Sequence, residues 1–144
     1  MKGRKPISRK LREEVYEKYG GRCAYCGCEI EYKDMQIDHI VPFASSIYGT
    51  EDVRENTISM ISNDTINSVD NLMPSCRQCN FYKGGLSIEG FRKRLKGELE
   101  HTCVNSFQSR LAIKYGILSF NGFNGEFFFE KKVSEEEKRI QQSE

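Results

Sequence analysis

At 144 residues, 38% hydrophobic and 30% charged, the chain has the composition of one soluble domain with a modest core, and no apolar run approaches membrane-spanning length. A net charge of +1 means that bulk charge by itself announces no nucleic-acid partner. Six cysteines behind a basic start, "MKGRKPISRK", that no apolar stretch follows are expected to be metal ligands or buried thiols in a reducing cytoplasm, not disulfides.

In chain order, residues 1–12 form a basic arm with Lys2, Arg4, Lys5, Arg9, Lys10 and Arg12 and no acid among them. The spacing predicts a first helix over about Ser8 to Tyr19, with Ser8 as N-cap, Leu11, Val15 and Tyr19 on one stripe, and Gly20-Gly21 as its stop. "CAYCGC" reads as a tight turn. "MQIDHIVPF" reads as a strand running into a loop, with Pro42 ending its ladder. Residues 44–70 are Ser/Asn/Thr-rich and weakly patterned, and they read as an insertion. "SCRQCNFYKGG" predicts a turn and a short helix closed by Gly84-Gly85. A helix from Ser87 follows, with Leu86 and Phe91 as a staple and Ile88, Phe91, Leu95 and Leu99 as its stripe. The next helix places Val104, Phe107 and Leu111 on one core-facing side and ends at Gly116. "FNGFNGEFFFEKK" suits a β-hairpin through its two Asn-Gly pairs, and the charged stretch from Ser134 is expected to fray.

Cys23 and Cys26 form one C-x-x-C and Cys76 and Cys79 another, with residues 27–75 between them. Each such knuckle turns two thiolates toward one ion, so two knuckles make a closed, structural Zn²⁺ site. Redox dithiols are the competing reading, but no βαβ pattern surrounds either pair. Cys28 and Cys103 fall outside this pattern and read as spare thiols. The clip draws the turn before "QIDHI" toward the turn before "NFYKGG".

Beside the clip lie Asp38-His39, Asn71 in "SVDNLMPSC", Asn80 directly after the second knuckle, and Lys83. Through "YGGRCAYCG", "IDHIVPF", "VDNLMPSCRQCN" and "NFYKGG", in that order over about residues 16–85, the sequence resembles the HNH nuclease family. The resemblance implies an α+β fold with a ββα-metal (His-Me finger) core and zinc knuckle, flanked here by further helices and the C-terminal hairpin. It implies His39 as the general base and Asp38 as a ligand of a catalytic Mg²⁺ or Mn²⁺. Asn71 would pin the loop and orient the base. Asn80 stands where the family commonly has His, and its amide oxygen would be the second ligand. Lys83, one helical turn on, is expected to contact a phosphate oxygen.

On this reading residues 1–133 are one nuclease domain: the basic arm at 1–12, the motif core at 16–85, and helices with the hairpin at 86–133. Residues 134–144 are a disordered tail. The function implied is a metal-dependent DNA endonuclease that nicks one strand per active site, acting as a monomer or weak homodimer in the cytoplasm of a bacterial or phage-infected cell, with no membrane role. Arg4, Lys5, Arg9, Lys10, Arg92, Lys93 and Arg94 are the expected contacts to double-stranded DNA. The alternative is a zinc-stabilised nucleic-acid-binding or docking module that keeps the fold without catalysis. His101 matches no motif and reads as structural.

Overall fold

The computed structural model describes residues 6–41 and 66–143. Arg4, Lys5, Pro42 and most of the 44–70 insertion lie outside these residues. The described chain is a mixture of helices and one two-stranded sheet, in line with the α+β expectation. It divides into two compact units, Met1–Ser87 with Phe127–Glu144, and Ile88–Glu126. Among the described residues no helix is long and apolar enough to cross a membrane.

The first unit opens with α1, Arg9–Glu17, which starts where the Ser8 Oγ accepts the Leu11 N–H at 3.2 Å. Its Val15 is fully buried. Two cations on this helix are spent on backbone carbonyls. The Arg12 guanidinium donates to Tyr32 O at 3.0 Å and Met35 O at 2.7 Å, holding the turn that enters the sheet. The Lys18 ammonium donates to Val69 O at 2.9 Å and Leu72 O at 3.0 Å, and burial lowers its pKa.

Strand β1, Gln36–His39, pairs antiparallel with β2, Leu72–Ser75, so that Asp38 lies opposite Met73 and His39 opposite Leu72. A short 3₁₀ turn, Val69–Asn71, leads into β2. Four residues per strand make a sheet that is marginal alone, so its stability has to come from what covers it. Helix α1 packs on β2, and α2, Arg77–Lys83, packs on β1. The chain order is therefore strand, strand, helix. Gly84, at φ +52, ends α2 as the Gly-Gly pair predicts.

The C-terminal segment departs from the sequence expectation. Instead of a hairpin followed by a frayed tail, α6 runs Phe128–Gln142, and no strand forms among residues 118–127. The reason is local. The Phe128 and Phe129 N–H groups, which a helix start leaves without intrahelical partners, donate to Tyr25 O at 3.0 Å and Ala24 O at 2.8 Å. The Glu130 carboxylate accepts the Phe127 N–H at 2.8 Å. Phe127 is 1% exposed, and its ring meets Tyr25 edge to face at 5.5 Å between centroids. A Cβ at Gly27, itself at φ +77, would come 2.8 Å from the Phe128 ring, so only glycine fits there. The Lys132–Glu135 pair supports the turns beyond.

The second unit holds α3, Ile88–Arg94, a wide π turn at Leu95–Leu99, α4, Glu100–Asn105, and α5, Phe107–Lys114. Phe91 is buried as its stripe predicts. The expected core face of Val104, Phe107 and Leu111 does not form. Ser106 leaves helical geometry (φ −66°, ψ 141°) and caps a new helix through its Oγ, which accepts the Ser109 N–H at 3.1 Å. That break interrupts the stripe, and Phe107 and Leu111 are 67% and 43% exposed.

If Phe127 anchors α6 to the knuckle, Phe127→Ala lowers the unfolding free energy by about 3–5 kcal/mol in urea titration. A loss under about 1 kcal/mol would show that α6 is not part of the core.

Candidate functional site

The site is built outward from the four cysteines. Their sulfurs all lie within 4.8 Å of one another, with Cys26 Sγ 3.9 Å from Cys76 Sγ. Tetrahedral zinc with bonds of about 2.3 Å requires sulfurs roughly 3.8 Å apart, so the four thiols are placed to hold one such metal ion. Local backbone sets this up. Gly27 N donates to Cys23 O at 2.9 Å, closing the first knuckle, and the Cys76 sulfur caps α2 by accepting the Cys79 N–H at 3.4 Å. Ala24 N donates to Pro74 O at 2.8 Å, which fastens the knuckle to β2.

The thiols also respond to each other electrostatically. Hydrogen bonds from Cys26 and Cys79 pull the Cys23 thiol far below its usual range. The same bonds to Cys23 push Cys26 and Cys79 up. Cys28 and Cys103 are exposed and stand outside the group.

At the end of β1, Asp38 and His39 are 7% and 4% exposed. Oδ2 of Asp38 accepts two bonds, one from the Tyr25 hydroxyl and one from Lys83 Nζ at 2.9 Å. Lys83 also donates to His39 O at 3.1 Å and has no exposed surface. Burial, and then the charge of Asp38, push the Tyr25 hydroxyl well above the usual tyrosine range, so it stays a donor. Oδ1 of Asp38 and the side-chain amide of Asn80, in the first turn of α2, make no hydrogen bond among the described residues.

Asn67 and Asn71 hold the turn before β2 against the strand end. His39 Nε2 lies 2.9 Å from Asn67 Oδ1. The Asn71 Oδ1 accepts the Val41 N–H at 2.9 Å, and its amide donates to Ile66 O at 2.8 Å. Asn71 O also accepts the Ile40 N–H at 2.9 Å. The chain leaving β1 is therefore tied down by one asparagine's side chain and backbone together.

The structure brings Asp38, His39, Asn71 and Lys83 together at the end of β1, with the Lys83 ammonium bonded to Asp38 and to the His39 carbonyl. Its spacing from Asn80 does place it on one helix face, yet that face is pressed onto β1. A fully buried ammonium with two bonds to the Asp38-His39 dipeptide clamps the helix to the strand. Of the expected DNA contacts within the described residues, Arg9 pairs with Glu13 at 2.9 Å, Arg92 with Glu89 at 3.0 Å and Arg94 with Glu98 at 3.3 Å. Lys10 and Lys93 are exposed. Sequence reasoning missed Tyr25 and Asn67. Tyr25 sits inside the first C-x-x-C, where attention falls on the cysteines. Asn67 lies in the polar insertion, where nothing sets it apart from its neighbours.

No family model and no curated protein matches the chain. Among solved structures the chain is similar to the Type II-C Cas9 enzyme from Actinomyces naeslundii, at 24% identity and a TM-score of 0.36, over 67% of this chain and 10% of that one. The chain spans about a tenth of that enzyme's length.

Two outcomes follow from the geometry. Cys76→Ser removes a sulfur and the cap of α2 together, so the purified variant should carry far less zinc than wild type and unfold at a lower temperature. Equal zinc content and melting temperature would contradict the clip. Lys83→Ala leaves the buried Asp38 carboxylate with the neutral Tyr25 hydroxyl and no counter-charge, which costs about 3–5 kcal/mol. A variant as stable as wild type in chemical denaturation would contradict the clamp.

Proposed function

We propose that the chain is a metal-dependent DNA endonuclease of the HNH type, with His39 as the general base and Asp38 and Asn80 as the protein ligands of a catalytic Mg²⁺ or Mn²⁺. The observation that carries this reading is the orientation of His39. An amide oxygen at Nε2 makes that nitrogen the donor, which leaves the lone pair on Nδ1. A histidine oriented in this way, on a strand end whose outgoing chain Asn71 fixes, is equipped to take a proton from water.

The residues fit a hard dication. Asp38 has one oxygen committed to Tyr25 and Lys83 and the other uncommitted, and Asn80 offers a neutral amide oxygen. Two oxygen ligands suit an ion that keeps several waters and completes its shell with substrate phosphate. When bound, the ion supplies charge neutralisation at the phosphate and at the leaving 3′ oxygen. His39 Nδ1 removes a proton from a water whose oxygen forms the new bond to phosphorus, the P–O3′ bond breaks, the leaving 3′ oxygen takes a proton from solvent, and the products are a 5′-phosphate and a 3′-hydroxyl. Lys83 holds Asp38 and the His39 carbonyl at fixed distances while this happens. Lys10, exposed on the first unit, is a cation that meets the double-stranded backbone, and one active site nicks one strand.

A second reading has one observation in its favour. The buried Lys83–Asp38 pair already neutralises the carboxylate, as a binding module that had lost its catalytic ion would require. The two readings separate in a plasmid assay. Wild type should convert supercoiled DNA to nicked circles with Mg²⁺ or Mn²⁺ and not with EDTA. His39→Ala should be at least 100-fold slower while remaining folded and zinc-loaded. DNA retardation without nicking in either metal would favour the binding module.

A further inference from the structure

Tyr25 lies between two of the clip cysteines in sequence, yet its hydroxyl reaches Asp38, thirteen residues on along the chain. It is 3% exposed and braced from two directions. The flanking Cys23 and Cys26 belong to the four-sulfur cluster. From the other side, Phe127 and Phe129 meet its ring edge to face at 5.5 and 6.3 Å, and the Phe128 N–H bonds to its carbonyl at 3.0 Å. A phenol anchored this firmly holds its hydroxyl in one place.

We propose that Tyr25 is a positioning residue for the catalytic cation, donating to Oδ2 of Asp38 beside Lys83 and so presenting Oδ1 to the ion. The inference rests on the endonuclease reading and assigns a role to a residue outside the motif that suggested it. The physical argument concerns the two carboxylate oxygens. With a buried ammonium alone on Oδ2, the carboxylate remains able to rotate about its terminal bond and exchange its oxygens. A second donor from another direction, carried on a different element, fixes its plane. Partners of a ligating carboxylate that work this way contribute about 10–100-fold to metal affinity or activity. It also follows that α6, through Phe127 and Phe129, supports the metal site without touching it.

The test is Tyr25→Phe in the full zinc-loaded chain, with Mn²⁺ binding followed by electron paramagnetic resonance of the free ion and nicking followed as Mn²⁺ is titrated. Mn²⁺ affinity should fall about 10–100-fold, and the Mn²⁺ needed for half-maximal nicking should rise by the same factor. Zinc content should be unchanged, and saturating Mn²⁺ should restore most of the cleavage rate. A hydroxyl that merely satisfies a buried ring would alter melting temperature and leave Mn²⁺ affinity alone. Wild-type affinity in the folded variant therefore overturns the proposal and leaves the endonuclease reading standing. If wild type neither binds Mn²⁺ nor nicks, both fall together. Should Tyr25→Phe fail to fold, Phe129→Leu takes its place, since it loosens the ring and keeps the phenol. Weaker Mn²⁺ binding than wild type supports the proposal, and equal binding overturns it.

Discussion

Two turns far apart in the chain, around Cys23 and Cys26 and around Cys76 and Cys79, meet at four sulfurs within 4.8 Å of one another, and the rest of the first unit depends on that meeting. Strands of four residues and a seven-residue helix have too few internal bonds to persist in water alone. The clip supplies what local structure lacks. It sets the start of α2 through the Cys76 cap and, through Ala24 N on Pro74 O, the height of β2 against the first knuckle. Once these are set, the side chains at the end of β1 have fixed neighbours.

The second constraint is buried charge. A fully enclosed Lys83 beside Asp38 is a modest contributor to net stability, because removing both charges from water offsets much of their attraction. Its value is in geometry. The ammonium accepts only a narrow placement of α2 over β1, since two of its bonds go to consecutive residues of the strand. Tyr25 joins the same oxygen from the knuckle, so clip, strand and helix converge on one carboxylate. His39 is then held from its carbonyl by Lys83 and from its ring by Asn67.

Much of this arrangement is legible in the sequence, and the parts that are not share a cause. The knuckles, the Ser8 cap, the strand at "QIDH" and the Gly84 stop are local patterns, where spacing and residue type determine the outcome. The Asp38, His39 and Asn71 grouping was legible because the motif ties it to the knuckles. For Lys83, periodicity reports a helix face and not what covers it, and in the fold β1 covers it. The Phe-rich stretch near residue 128 satisfies hairpin chemistry equally well in isolation. It becomes a helix start because the carbonyls of Ala24 and Tyr25, a hundred residues away, receive its free N–H groups. The stripe through Phe107 fails for a smaller reason, one serine leaving helical geometry. Long-range partners of this kind leave no local signature.

On the endonuclease reading proposed above, the molecule would hold two metals with separate duties, one locked in the clip and one exchangeable at Asp38 and Asn80. The most direct test is to dialyse zinc-loaded protein against a resin that strips weakly bound ions, confirm one zinc per chain, and follow plasmid nicking as Mg²⁺ is added back. The expected result is no nicking before addition, a saturable rise with Mg²⁺, and zinc content that stays at one throughout. Nicking that proceeds with zinc alone, or none at any Mg²⁺ concentration, would contradict it.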